Sequence, residues 1–298
     1  MLKFGKTILF ILIVFLIGCN TAEKKESEHK LPLNSHEHKL LLNANKFENT
    51  ENAFSEYWQI VKKIAIEQDL KVVEYENHLK QKHRIVNYYD TKNFDLRKKG
   101  FVIRKRTPLV GNKLDTTFTY TIKYINEDLN QTATMDLSLG DGYIPKDSIL
   151  VAEADIVNGK NADSKPTMLY STGNSTYLNY EPGELLSDYA KIFPVLMTLD
   201  IDQSEKLLVV NGVEAKEYNI KPGLIDFGNN LFGEVGMSVR EINGLKIPEF
   251  SFDHSLESWN EIPEKNIKAC EEFINHLQAY APDWYVTGKL KTEFIFNQ

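Results

Sequence analysis

The sequence predicts an α+β protein in which an antiparallel, closed β-barrel forms a tunnel and helices pack outside it. In residues 116–124, threonine and lysine side chains alternate with aromatic and aliphatic ones, so one strand face is polar and the other apolar. A barrel with a wet interior and helices on its outer surface requires this pattern. Strand-like segments joined at Asn211-Gly212 and Asn243-Gly244 favour the same fold, because Asn-Gly pairs are typical of tight antiparallel hairpins.

The remaining elements follow from the spacing of apolar residues. Helices are predicted after an N-cap at Asn49 or Thr50, over residues 183–199 and over residues 263–280. Residues 71–89 are predicted as one long strand or a bent hairpin. The other strands are predicted over residues 39–47, 101–106, 116–124, 133–139, 151–157, 206–210, 214–220, 235–242, 247–253 and 285–296.

The N-terminus is predicted to be a lipoprotein signal peptide over residues 1–18. Lys3 and Lys6 precede an apolar run that is too short for a comfortable transmembrane helix. The run ends in Leu16-Ile17-Gly18-Cys19, which resembles the bacterial lipobox. That resemblance implies that Cys19 carries lipid, including palmitate, and becomes the first mature residue. The expected location is the bacterial cell envelope, with the protein anchored in a membrane and its globular domain outside the cytoplasm.

Residues 19–38 are polar, charged and without periodicity, and are predicted to form a flexible tether to a globular domain over residues 39–298. His29, His36 and His38 lie in this stretch, and a solvated tether is the favoured interpretation over a metal-binding tract. With Cys19 lipidated, Cys270 is the remaining cysteine, so no intramolecular disulfide is available. Cys270 falls on the apolar face of a predicted helix, as a buried thiol would.

Charge limits the classes of partner. The formal net charge is −7, so general nucleic-acid binding is not expected. A site for anions must be a local concentration of positive charge within a negative protein. The sequence has no phosphate-binding glycine loop, no nucleophilic triad and no Cys/His zinc spacing.

Positive charge is concentrated in the stretch from Tyr88 to Arg106. The segments Tyr88-Tyr89-Asp90-Thr91 and Arg104-Lys105-Arg106 are separated by a spacer that contains Leu96 and Gly100, and Thr121-Ile122-Lys123 follows. This order and spacing resembles the CYTH family, the triphosphate tunnel metalloenzymes. The resemblance implies a closed barrel with a charged tunnel that acts on triphosphates with a divalent metal, for which Mg²⁺ or Mn²⁺ is expected.

The same family begins with a strand that carries E-x-E-x-K. The corresponding positions are predicted at Leu42, Ala44 and Lys46, where the lysine is present and the two glutamates are absent. Glu74 and Glu76, followed by Lys80, are a rival match, although they lie after the first helix. The loss of two carboxylates predicts a degenerate metal site, because Mg²⁺ and Mn²⁺ prefer hard oxygen ligands.

Alternation along the predicted strands assigns candidate site residues to the barrel interior. The predicted anion-binding residues are Lys46, Arg104, Arg106, Lys123, Arg240, Lys289 and Lys291. The predicted metal ligands are Asp136, Glu153, Glu249 and Asp253, with Asp155 beside Glu153 on the same strand face. Paired guanidinium groups match phosphate oxygens well, and buried cations require anionic partners.

The favoured function is therefore binding of a phosphorylated oligoanion, such as polyphosphate or a nucleotide-like molecule, by a lipid-anchored protein with a degenerate metal site. Catalytic residues stay unassigned. One alternative is an active, metal-dependent triphosphate phosphohydrolase, and another is an envelope lipoprotein with no tunnel ligand. Convergence of at least three of Asp136, Glu153, Asp155, Glu249 and Asp253 in one interior would favour metal chemistry.

Overall fold

A computed structural model describes residues 33, 35–111, 113–147, 150–160, 165–255, 262–286 and 291–297 of the chain. These residues form twelve strands and six α-helices. The strands are β1 (Ser35–Leu41), β2 (Lys71–Glu74), β3 (Lys82–Asp90), β4 (Phe101–Val110), β5 (Lys113–Leu114), β6 (Phe118–Asn126), β7 (Leu150–Val157), β8 (Thr167–Leu178), β9 (Leu208–Val209), β10 (Ala215–Asp226), β11 (Phe232–Ile242) and β12 (Leu245–Ser255). The helices are α1 (Thr50–Glu67), α2 (Asp95–Lys98), α3 (Leu129–Ala133), α4 (Leu186–Ala190), α5 (Glu264–Tyr280) and α6 (Glu293–Phe296).

Nine of the strands close into a ring. Its order is β10-β11-β12-β1-β7-β8-β6-β4-β3, and a further pairing of β3 with β10 returns to the start. The predicted closed barrel is thus confirmed. All these pairings are antiparallel except that of β1 with β7, which is parallel. A long connection that includes β2–β6 separates β1 from β7, as parallel neighbours require.

The first strand starts earlier than predicted. β1 begins at Ser35 and ends at Leu41, and it pairs with β12 on one side and β7 on the other. Residues 35–38 therefore belong to the barrel and not to the tether. His36 and His38 are 8 % and 5 % exposed, because they face outward beneath a helix and not into solvent. Residues 1–32, including Cys19, lie outside the described part of the chain.

Helices pack outside the barrel, as predicted, and they cover the outer face of β1 and β10–β12. Asn49 caps α1: its side-chain oxygen accepts a hydrogen bond from the Asn52 backbone amide at 3.0 Å. One of the amides in the first turn of the helix thereby gains a partner. The buried aromatic side chains of α1 and α5 pack with Phe250 and Phe252 of β12. A second apolar cluster covers β4 and β6, where the predicted helix over residues 183–199 is instead α4 followed by a 3-10 turn at Pro194–Thr198. Proline removes a backbone donor and ends the helix.

Three other predicted segments differ in the structure. In place of one continuous strand over residues 71–89, the chain forms the four-residue β2 and the nine-residue β3, which pair in succession along β10. Residues 133–139 are not a strand, because Asp128 caps α3 through the backbone amides of Asn130 and Gln131 and the chain then continues without regular structure. Asn211-Gly212 lies in a 3-10 turn, whereas Asn243-Gly244 forms the predicted β11–β12 hairpin with φ values of 49° and 82°.

The Asp90-Thr91 turn has a structural role. The Asp90 carboxylate is buried and accepts hydrogen bonds from the backbone amides of Thr91, Leu96 and Arg97 at 2.7, 2.9 and 2.9 Å. These bonds fix the loop between β3 and β4. Gly100 has φ +84°, and a Cβ there would lie 2.8 Å from the Ile125 carbonyl oxygen, so the loop requires glycine. The turn thereby sets the register in which β4 presents Arg104 and Arg106.

The C-terminal segment fills one end of the barrel. Its predicted strand over residues 285–296 is wrong: residues 293–296 form α6, and residues 287–290, including Lys289, lie outside the described residues. Ile295 is buried in an apolar cluster with inward-facing Val86 and Val102, and the Phe296 ring packs against Tyr88 at 6.3 Å between centroids. This apolar packing separates the charged part of the interior from solvent at that end.

Within the described ranges, no helix combines the length and apolar character needed to span a membrane.

Candidate functional site

The barrel interior contains a charged cavity of about 660 Å³. Alternation along each strand directs one set of side chains into it. The charged and hydroxyl groups that line it come from all nine ring strands, the C-terminal segment and the loop before β7. They are Glu37, Lys39, Tyr88, Arg104, Arg106, Thr121, Lys123, Asp147, Glu153, Asp155, Ser171, Thr172, Ser175, Lys221, Glu234, Arg240, Glu249, Asp253, Lys291 and Thr292. The polar face predicted for β6 therefore faces inward.

One side of the cavity is a group that we call the arginine cluster: Arg84, Arg104, Arg106 and Arg240, with Glu217 and Tyr88. Glu217 is 1 % exposed and receives the Arg240 Nε–H on Oε2 at 2.6 Å and the Arg84 Nε–H on Oε1 at 2.5 Å. Arg240 also donates from Nη1 to the Tyr88 hydroxyl at 2.6 Å. One carboxylate thus partly offsets four guanidinium groups, and the cluster keeps a net positive charge.

Arg104 and Arg106 are the least satisfied members of the cluster. Their Nε atoms are buried and have no hydrogen-bond partner. Burial lowers the pKa of Arg106 well below its usual value, and the neighbouring Arg104 adds to this lowering. The pKa of Arg104 is also lowered by burial. A buried donor without an acceptor is costly, so both side chains would gain from an anion in the cavity.

Opposite the arginine cluster lies a carboxylate cluster of Glu37, Glu153 and Asp155, whose oxygens lie within 4.8 Å of one another. Two lysines neutralise part of it. Lys39 contacts Asp155 and lies 2.7 Å from Glu37 Oε2, and Lys123 lies 3.0 Å from Glu153 Oε1 and 3.5 Å from Asp155 Oδ2. Three carboxylates against two ammonium groups leave a net negative charge.

The lysines set the protonation of this cluster. Burial opposes ionisation of Asp155, but Lys123 and Lys39 outweigh it and hold its pKa far below the usual range. Burial raises the pKa of Glu153 despite the attraction of Lys123. Burial raises the pKa of Glu37, but the Lys39 ammonium lowers it by more, so the pKa of Glu37 lies below its usual value. Asp155 and Glu37 therefore present hard anionic oxygens at neutral pH.

Two further predicted carboxylates reach the cavity. Glu249 Oε1 is paired with Lys291 Nζ at 2.7 Å, and Lys291 also donates to Ser238 Oγ at 2.6 Å. Asp253 is the register partner of Glu37 across β12 and β1. Burial and the nearby Glu37 raise the pKa of Asp253 to about 7.

The structure places most predicted site residues in the cavity and two elsewhere. Arg104, Arg106, Lys123, Arg240 and Lys291 line it, as do Glu153, Asp155, Glu249 and Asp253. Lys46 instead pairs with Asp283 outside the barrel and lies 5.4 Å from the Trp284 ring centroid. Asp136 is in a loop, where its carboxylate accepts from Ser138. Lys289 is among the residues that the structure does not describe.

The predicted match of Leu42, Ala44 and Lys46 to E-x-E-x-K is wrong. Leu42 is 2 % exposed in an apolar core, and Ala44 begins a 3-10 turn. Glu37 and Lys39 of the first strand line the cavity, and Ser35 lies on the same strand face. They fit the pattern with serine in place of the first glutamate. The rival residue Glu74 bonds the Trp58 indole and Lys62 on the outside of the barrel.

Glu37, Lys39 and Glu217 are functional candidates that the sequence reasoning missed. Glu37 and Lys39 lie in the stretch predicted as tether, although the alternation of Ser35, Glu37 and Lys39 with His36, His38 and Leu40 was a usable strand signal. Glu217 gave no local signal, since only strand pairing brings it between Arg84 and Arg240.

The residues present fit a divalent cation. Glu37, Glu153 and Asp155 supply carboxylate oxygens close enough to share one ion, and such oxygens suit Mg²⁺ or Mn²⁺. Lys39 and Lys123 contact the same oxygens, so a bound cation would have to displace or rearrange these ammonium groups.

Comparison with known proteins gives likeness in fold alone. No protein-family model and no curated protein matches the chain. Among solved structures, a candidate adenylate cyclase from Bacillus halodurans is 13 % identical, with a TM-score of 0.40 over 89 % of this chain and 100 % of that one. A candidate adenylyl cyclase from Hippeastrum, described as having a dominant triphosphatase activity, is 12 % identical, with a TM-score of 0.43 over 89 % and 95 % of the two chains. The PH1819 protein from Pyrococcus horikoshii is 11 % identical, with a TM-score of 0.38 over 88 % and 97 %.

Because these TM-scores are below 0.5, the strand pairings of the chain itself establish the barrel. Fold and site together define a closed tunnel barrel with a charged, two-sided interior.

We expect replacement of Glu217 by Gln to lower the free energy of unfolding at neutral pH by about 3 kcal/mol, because it leaves buried guanidinium groups without a counter-charge. Burial opposes the ionisation of Glu217, but Arg240 and Arg84 hold its pKa well below the usual value. A depressed carboxyl pKa stabilises the fold above the unfolded-state pKa of about 4.3. The difference between wild type and variant should thus be constant down to about pH 5 and shrink below it.

Urea unfolding at a series of pH values measures this difference. Glu184→Gln, at an exposed ion pair with Lys206, is the matched control and should change the free energy of unfolding by less than about 1 kcal/mol. Equal effects of the two variants, or a difference that grows on acidification, would contradict the assignment.

Proposed function

We propose that the cavity binds a phosphorylated oligoanion through Arg104 and Arg106. The observation that carries this proposal is the pair of buried, unpartnered Nε atoms of these two residues. Their guanidinium groups are adjacent on one face of β4, and forked donors of this kind match phosphate oxygens in pairs. The ligand supplies the acceptors and the negative charge that the arginine cluster lacks.

A ligand with several charges fits better than a single phosphate. The arginine cluster contains four guanidinium groups and one carboxylate, and its net positive charge would be balanced by successive phosphates. The carboxylate cluster opposite would repel the same ligand unless a cation intervenes. A chain of phosphates that spans the cavity therefore couples the two clusters through a divalent cation.

Binding is tested by calorimetric titration of inorganic triphosphate into the full chain in mild detergent. Arg106→Ala should weaken binding by about tenfold or more, because a charge-assisted hydrogen bond contributes roughly 1.5–3 kcal/mol. Lys46→Ala is the control; Lys46 pairs with Asp283 outside the barrel, so binding should be unchanged. Unaltered affinity in Arg106→Ala would refute the assignment of the phosphates to the arginine cluster.

A second candidate function is hydrolysis of a phosphoanhydride bond. It is favoured by the convergence of Glu153, Asp155, Glu249 and Asp253 in one cavity. The sequence predicted that metal chemistry would be favoured if at least three of the candidate carboxylates met in one interior. In this reaction a water oxygen bonds to the terminal phosphorus of triphosphate while the bridging P–O bond breaks; the leaving pyrophosphate takes the electron pair, and the proton of the water passes to solvent. The guanidinium groups would stabilise charge that develops on the transferring phosphoryl group.

Glu37, Glu153 and Asp155 would hold the divalent cation, which would supply further neutralisation of phosphate charge. Lys39 and Lys123 would then turn from the carboxylates toward the phosphates, so these lysines act as built-in counter-ions in the absence of ligand. Ser171 donates to Asp155 Oδ2 at 2.7 Å and would keep this carboxylate in place.

Release of phosphate from inorganic triphosphate should require Mg²⁺ or Mn²⁺ and should fall about 100-fold or more in Glu153→Gln, because one anionic ligand of the cation is lost. Asp136→Asn, at a residue whose carboxylate bonds Ser138 in an outer loop, should leave the rate unchanged. Phosphate release by Glu153→Gln at the wild-type rate, or turnover without any divalent cation, would exclude the proposed metal chemistry.

We further propose that the protein is a lipoprotein of the bacterial cell envelope, anchored through Cys19 and carrying a divergent CYTH-like domain. The support is the basic start, the apolar run and the Leu-Ile-Gly-Cys sequence at residues 16–19. Replacement of Cys19 by Ser should abolish incorporation of labelled palmitate and alter the membrane fractionation of the protein. Persistence of the label in Cys19→Ser would contradict lipidation at this residue.

A further inference from the structure

We propose that one end of the barrel, the mouth at which β1 and β11 begin, is a docking surface for the membrane in which a lipid on Cys19 would insert. The surface consists of exposed apolar side chains at that end; they are Val110, Leu114, Ile144, Tyr177 and Phe232. We call this set the mouth surface. The inference rests on the proposed lipid anchor and goes beyond it, because it assigns the face of the barrel that would meet the bilayer.

The two ends of the barrel differ in what covers them. α6 and the apolar cluster around Ile295 pack at the end where β4 and β12 begin. The strand pairings place the last residues of β4 and β8 at the opposite end, the mouth, together with the first residues of β1 and β11. Asp147 and Lys221 line the cavity and are exposed, so the cavity reaches solvent at the mouth.

A hairpin of β4 and β5 projects from the mouth. The pairing of β4 with β6 ends at Arg106, whereas β4 continues to Val110 and pairs there with β5. Val110 and Leu114 are 68 % and 57 % exposed. Val110 also shares the strand face of Arg106, which lines the cavity. The charged inward row of β4 therefore ends in an exposed aliphatic side chain.

Two other inward rows end in exposed aromatic rings. On β8, Ser175 lines the cavity and Tyr177 follows it on the same strand face; on β11, Glu234 lines the cavity and Phe232 precedes it on the same face. Both rings are about half-exposed. β8 and β11 lie on different sides of the ring, so the apolar character extends around the mouth. Exposed apolar patches of this kind mark surfaces that bind a protein or a membrane.

The segment before β7 adds Ile144 to the mouth surface. Its position is fixed to the end of β8, because the Lys146 amide donates to the Ser175 carbonyl at 2.7 Å and Thr176 Oγ1 donates to the Ile144 carbonyl at 2.8 Å. Ile144 is 79 % exposed. The hydrogen bonds thus hold an aliphatic side chain in solvent next to Tyr177.

The charges that neighbour Ile144 and Leu114 in the chain are balanced. Lys146 lies 3.2 Å from Asp147, and Lys113 and Asp115 flank Leu114 in the hairpin. Docking of the mouth surface would therefore be driven by burial of apolar side chains and not by attraction to anionic lipid.

The entry point of the chain favours the bilayer as the occupant of this surface. β1 begins with Ser35 at the mouth, and Cys19 precedes Ser35 by 16 residues, which span at most about 50–60 Å. A lipid on Cys19 would keep the mouth near the bilayer, and the resulting high effective concentration makes a small apolar surface sufficient. A second copy of the chain is not held there in this way. With the mouth docked, the cavity would open onto the lipid headgroups.

The test uses the full, lipidated chain in phosphatidylcholine vesicles that contain nitroxide-labelled lipid. A bimane fluorophore is coupled to Leu114→Cys or, as the matched control, to Leu245→Cys. Leu245 is 47 % exposed in the β11–β12 hairpin at the other end of the barrel, and Cys270 is buried. The nitroxide should quench most of the fluorescence at position 114 and leave that at position 245 unchanged.

A second substitution tests whether the mouth surface itself causes docking. Ile144→Ser in the chain labelled at position 114 should lower the ratio of docked to undocked protein by about tenfold, because one aliphatic side chain of this size is no longer buried. Leu245→Ser in the same labelled chain should leave the quenching unchanged. Equal effects of the two serine substitutions would overturn the proposal.

The remaining outcomes separate docking from anchoring. Vesicle-bound protein that carries palmitate on Cys19 but shows no quenching at position 114, or equal quenching at positions 114 and 245, would overturn the docking surface and leave the anchor in place. Protein without palmitate that stays off the vesicles would overturn both. A blue shift of the fluorophore at position 114 that grows with protein concentration in detergent, with no quenching in vesicles, would assign the surface to a second copy of the chain and overturn the membrane assignment.

Discussion

The ion pairs of Glu217 are the interaction on which the rest of the barrel depends. Arg84, Glu217 and Arg240 lie side by side on β3, β10 and β11, and the pairing of β3 with β10 is the one that completes the ring. The pairing of β3 with β10 is thus held by a buried carboxylate between two guanidinium groups. Loss of one member of such a buried network would leave an uncompensated charge, so the two ion pairs of Glu217 favour this register of β3, β10 and β11.

Closure of the ring explains why the sheet is polar inside and apolar outside. The outward side chains of β1, β11 and β12 are covered by α1 and α5, and the inward ones meet across a space that contains two clusters of opposite charge. Glu217 cannot neutralise all of the arginine cluster, and Lys39 and Lys123 cannot neutralise all of the carboxylate cluster. A phosphate chain would balance the remaining positive charge of the arginine cluster, and a divalent cation would balance the remaining negative charge of the carboxylate cluster.

Most of the wrong predictions concern side chains whose position depends on a residue far away in the sequence. Lys46 satisfies a sequence pattern, but its strand ends at Leu41, and it pairs with Asp283. Glu37 and Lys39 lie in a charged stretch that resembles a tether by composition, although pairing with β7 and β12 holds them inside the barrel. Asp136 follows a helix, because the Asp128 cap prevailed over the strand-like alternation of residues 133–139. For Lys46, Glu37 and Lys39, contacts between distant segments outweighed local composition, whereas for Asp136 a local helix cap did.

The sequence by itself determined the class of the fold, the inward face of β6, the pair Arg104 and Arg106, and the carboxylates Glu153, Glu249 and Asp253, because strand periodicity assigns a face to each residue within its own strand. Tertiary structure alone decided which faces meet. It closed the ring at β3 and β10, set Glu217 between Arg84 and Arg240, joined Glu37 to Glu153 and Asp155, and turned the C-terminal residues into a packed end of the barrel. The physical reason is that alternation is a local property of the chain, whereas register between strands that are far apart in sequence depends on the packing of the whole ring.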